Sequence, residues 1–121
     1  GAGRFELRLM DGATNPYLLQ AGIVAAGIDG IEKKRNPGKP LFVNMYEEGN
    51  KLSGVKKLPT SLDQALDNLN NSKVLKSAFG ESTINSYIKL KNLEINKFKS
   101  SNSSQSSNII SQWEKDNTLD C

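Results

Sequence analysis

Arg4, Glu6 and Arg8 carry the sharpest chemical signal in the chain. The order Arg-Phe-Glu-Leu-Arg-Leu over residues 4–9 alternates polar and apolar with period two, as a half-buried strand does. On such a strand the three charged residues share one face, with neighbours about 6.6–6.8 Å apart. A carboxylate there can ligate a hard divalent cation, while flanking guanidinium groups take phosphate or carboxylate oxygens in bidentate fashion. The same pattern also describes an exposed ion-pair ladder worth less than about 1 kcal/mol. Period alone favours that plainer reading.

Other candidates carry less. Glu47, Glu48, Asp63 and Asp67 read as solvated faces without the spacing of a calcium loop. Lys33, Lys34, Arg35 and Lys39 form a cationic segment that could attract phosphate but reads as surface. Gly27 and Gly30 fall inside or at the end of a helix, where they do not form a phosphate-cradling loop. The chain has no histidine, which excludes imidazole zinc sites and Ser-His or Cys-His pairs built from this chain alone. Cys121 is the one cysteine, so no intrachain disulfide forms and a reducing compartment is favoured. It reads as a spectator thiol.

The elements that must position these residues belong to one compact domain at most, since the chain has 121 residues. Sixteen Lys+Arg against 13 Asp+Glu leave a net charge of +3, far from the clustered excess of a nucleic-acid binder. The longest charge-free stretch, Gly12 to Ile28, holds Asn15, Pro16 and Gln20 and is short for a bilayer span. Without a secretion signal, the expected location is cytoplasmic. The chain opens Gly1-Ala2-Gly3 and enters a strand pattern at once, which reads as a piece of a longer protein.

After the strand over 4–9, Asn15-Pro16 predicts a helix over about 16–31, with Asn capping free N–H groups and Pro in the first turn. Its apolar residues point in every direction, so it is expected to be buried on all sides. Gly22 and Gly27 each cost roughly 1 kcal/mol of helix propensity, which predicts a close approach of other backbone. Residues 33 to 54 read as an ordered crossing loop. Helices follow over 61–70, with Ser61 and Gln64 at capping-box spacing, over 73–79, stopped by Gly80, and over 82–98. Ser-rich residues 100–108 are expected to be flexible, and the tail 109–121 regains order through Ile109, Ile110 and Trp113, a packing anchor. The fold class is mainly α with a short N-terminal β-strand.

The ordered motifs Arg4-Phe5-Glu6-Leu7-Arg8-Leu9, Asp11-Gly12-Ala13-Thr14-Asn15-Pro16-Tyr17-Leu18 and Ala25-Ala26-Gly27-Ile28-Asp29-Gly30-Ile31 resemble the C-terminal part of the glutamine synthetase catalytic domain. The resemblance continues through Asn36-Pro37-Gly38, Asn44-Met45-Tyr46, Leu58-Pro59 and the Tyr87 helix to Trp113-Glu114 and Thr118-Leu119-Asp120-Cys121. That ending resembles the bacterial branch holding the type III synthetases and γ-glutamylmethylamide synthetases.

This resemblance implies a fragment of an α+β catalytic domain from an ATP-dependent ligase. In that chemistry ATP phosphorylates the γ-carboxylate of glutamate, and ammonia displaces phosphate from the acyl phosphate. By the same resemblance, Glu6 matches a ligand of a catalytic Mg2+ or Mn2+. Arg8 matches the catalytic arginine that binds glutamate and the transferring phosphoryl group, and Arg4 a weaker phosphate contact. Tyr46 stands where one branch carries an adenylylated tyrosine, but Phe42 and Val43 replace the acidic and basic residues that precede it there, which disfavours modification. The family implies homo-oligomers of hexameric rings that often pair, with no nucleic acid and no membrane. The fragment alone is expected to be inactive and to self-associate through its apolar helix. Alternatives are ligation of methylamine and a freestanding helical interaction module.

Overall fold

The computed structural model describes residues 3, 4, 6–101 and 110–118. The first helix, α1, spans Pro16–Glu32. Asn15 Oδ1 accepts the N–H groups of Tyr17 and Leu18, both at 3.0 Å, and Pro16 occupies the first turn, where no N–H is needed. The helix ends in a Schellman turn. The Arg35 N–H donates to the Gly30 carbonyl at 2.9 Å and the Lys34 N–H to that of Ile31 at 3.1 Å. This turn puts Lys34 at φ 47°, in the left-handed region where glycine is the usual occupant.

Two short pieces follow, α2 (Met45–Glu48) and a 3-10 turn (Gly49–Lys51), so the segment expected to be loop from 33 to 54 contains helical structure. Asn44 starts it, its Oδ1 accepting the Tyr46 N–H at 3.1 Å.

The next three helices are α3 (Leu62–Asn71), α4 (Lys73–Phe79) and α5 (Glu81–Ser100), joined by single residues. Ser61 Oγ accepts the Gln64 N–H at 3.2 Å, while the Gln64 side chain reaches past Ser61 to the Thr60 N–H at 3.1 Å. Ser72 Oγ caps α4 through the Leu75 N–H at 3.3 Å. Gly80, at φ 83°, closes α4 and opens α5, a backbone geometry that favours glycine. The α5 helix runs two residues past the expected end, with Lys97 and Lys99 in a last turn whose dipole favours cations.

Among the described residues the buried side chains are Leu66 of α3 and Ile84 and Ile95 of α5, at 5%, 5% and 8% exposure. Lys99 Nζ of α5 meets Asp63 Oδ1 of α3 at 3.4 Å, so the two helices run antiparallel. Beyond this pair, α4 packs on α5 and α1 on α4.

Ser100 is helical, and residues 102–108 of the stretch expected to be flexible lie outside the described residues. In the tail, α6 spans Gln112–Thr118 and docks through Trp113, whose ring meets that of Phe98 edge-on at 5.3 Å between centroids. Ser111 and Glu114 start α6 as a capping box. The Ser111 N–H donates to Glu114 Oε2 at 2.7 Å, and the Glu114 N–H to Ser111 Oγ at 3.1 Å.

Two expectations need correction. The strand expected over 4–9 is not seen: no strand occurs among the described residues, which are mainly helical. Alternation selects an apolar face, but a strand also needs a neighbour to complete its hydrogen-bond ladder. No described segment supplies one, and Leu7 and Leu9 are exposed. The second concerns α1. It has no buried residue among those described, and no other element comes within 4 Å of where a Cβ would stand on Gly22 or Gly27. Its packing partner among the described helices is the seven-residue α4, which covers only part of one side. Among the described residues, no helix is long and apolar enough to cross a membrane.

Candidate functional site

The segment holding Arg4, Glu6 and Arg8 lies just ahead of α1. A turn fixes its far end: Asp11 Oδ1 accepts the Ala13 N–H at 2.8 Å, and the Asp11 carbonyl accepts the Thr14 N–H at 3.2 Å. The chain then passes directly into the Asn15 cap. Arg8 Nε donates to Glu6 Oε1, and both side chains are exposed, at 79% and 54%. No other hydrogen bond or ion pair to the described residues engages either group, so Glu6 Oε2 and both Arg8 Nη atoms remain open to a ligand. The structure brings Glu6 and Arg8 together but ties neither Arg4 nor Tyr46 to them. Tyr46 is 94% exposed on α2.

The chemistry open to this pair is recognition of opposite charges, a carboxylate oxygen for a cation and a guanidinium fork for an anion. Glu6 has the hard oxygen that Mg2+ or Mn2+ takes. Among the described residues no group of three or more His, Cys, Asp or Glu could hold a metal ion, and Glu6 presents a single carboxylate to a cation.

Sequence reasoning missed a second ionic cluster, at the end of α1. Asp29, whose side chain is 13% exposed, accepts from Lys33 Nζ on Oδ1 and from Arg35 Nε and Nη2 on Oδ2, the latter two at 2.8 Å. The Lys33 hydrogen bond holds the Asp29 carboxyl below its ordinary value; desolvation opposes this and Arg35 reinforces it. The i,i+4 spacing of Asp29 and Lys33 is the signal that could have found part of it. The cluster borders an open groove of about 820 Å3 between α1 and α4, lined by Tyr17, Val24, Ile28, Val74 and Phe79 among others. Arg4, Glu6 and Arg8 do not line this groove.

The family model described as glutamine synthetase, catalytic domain, matches residues 1–109. The chain belongs to the glutamine synthetase family. It is 45% identical over 120 residues to a glutamine synthetase of Rhizobium leguminosarum bv. phaseoli, covering 99% of this chain. A glutamine synthetase of Rhizobium meliloti is 43% identical over the same length and share. A glutamate–methylamine ligase of Methyloversatilis universalis is 39% identical over 95 residues, 76% of this chain and 21% of that protein. The chain spans 26% of the length of the two Rhizobium relatives. No solved structure gives a significant match. The glutamine synthetase resemblance of the motifs is thereby borne out at family level, and the family match includes the whole Arg4-to-Arg8 segment.

Proposed function

We propose that this chain forms part of a cytoplasmic glutamate–ammonia ligase that makes glutamine through γ-glutamyl phosphate at the expense of ATP. The observation that carries this reading is a catalytic-domain match that includes a segment whose carboxylate and guanidinium stand side by side and open. Glu6 supplies one oxygen ligand to a catalytic Mg2+ or Mn2+, and the other donors come from outside the described residues. When bound, the cation neutralises phosphate charge during transfer. Arg8 binds glutamate and then holds the phosphoryl oxygens as charge gathers on them, through a planar fork that lysine lacks. Arg4 adds a weaker, supporting phosphate contact. The Glu6–Arg8 ion pair does not obstruct these roles, because an exposed pair contributes less than about 1 kcal/mol and yields to stronger partners.

The ring assembly of the family completes the site between neighbouring subunits, and the chain alone has no ligase activity. Ammonia is the nitrogen substrate. Adenylylation of Tyr46 is no part of this reading.

The residue roles are tested in a full-length relative that carries this chain in place of its own matching segment. Phosphate release from ATP is followed with glutamate and either ammonia or methylamine. Arg8→Lys is expected to lower kcat/KM for glutamate at least tenfold, and Glu6→Gln to raise the Mg2+ requirement. Unchanged kinetics in both variants would overturn the assigned roles. In the full-length protein that carries this chain natively, faster turnover with methylamine than with ammonia would transfer the reading to a glutamate–methylamine ligase.

A further inference from the structure

We draw no further inference here: the strongest candidate, the open apolar groove between α1 and α4 lined by Tyr17, Val24, Ile28, Val74 and Phe79, is an unpartnered face of a chain that spans 26% of the length of its two Rhizobium relatives, and nothing in the structure shows what covers it.

Discussion

Lys34→Gly should stabilise the end of α1. Lys34 adopts φ 47° to let the Arg35 and Lys34 N–H groups close the Schellman turn onto Gly30 and Ile31. Left-handed backbone costs a residue with a Cβ about 1–2 kcal/mol, and glycine little. Glycine's greater freedom in the unfolded chain takes back about 0.4–1 kcal/mol. The Lys34 side chain is exposed and forms no ion pair among the described residues, so its removal loses nothing else. The net expectation is about 0.5–1 kcal/mol in favour of the closed turn. Amide hydrogen exchange at Arg35 reads this directly, because its N–H reports the bond to Gly30. Exchange should slow about two- to fivefold in Lys34→Gly. It should not slow in Lys34→Ala, which keeps a Cβ. Equal slowing in both variants, or faster exchange in the glycine variant, would refute the strain argument.

Other predictions concern the ionic groups and the core. Asp29→Asn should loosen the last turn of α1, seen as faster exchange at Lys33 and Arg35, because both cations lose their carboxylate partner. The folded Asp29 carboxyl lies below its ordinary value of 3.8, so its stabilising contribution is present above that pH and fades as pH falls through the folded value. Glu114 is likewise lowered, chiefly by the Ser111 backbone N–H and then by the Ser111 side chain. The start of α6 should therefore hold above pH 4.5 and weaken on acidification below it. Trp113 fluorescence would report that loss, and Glu114→Gln should abolish this pH dependence. Leu66→Ala should destabilise α3 against α5 by about 2–3 kcal/mol in urea unfolding followed by circular dichroism, since Leu66 is one of the few buried side chains.

Features set by nearest neighbours were legible in the sequence. Asn15, Ser61 and Ser72 each bond an N–H two or three residues ahead, and Gly80 ends α4 with a dihedral few other residues tolerate. The left-handed turn at Lys34 escaped notice because the residue there lacks glycine's signature. The four-residue α2 is too short to show a period, although Asn44 is a cap of the ordinary kind. The alternation around Arg4, Glu6 and Arg8 correctly marked a charged segment, but a strand depends on a partner that residues 4–9 cannot encode. The all-round apolar character of α1 likewise describes what the helix would bury, while the described chain leaves it exposed. Glu6 and Arg8 pair in irregular backbone, so strand spacing does not account for their contact, and the Arg35 contact to Asp29 depends on the turn that Lys34 makes.

The most direct measurement is ATP-dependent glutamine formation from glutamate and ammonia by a full-length relative bearing this chain in place of its matching segment, beside the same protein with Glu6→Ala. The account predicts glutamine formation by the first and a loss of at least a hundredfold in the second, with both assembled alike. A correctly assembled protein that makes no glutamine, or one indifferent to Glu6→Ala, would contradict it.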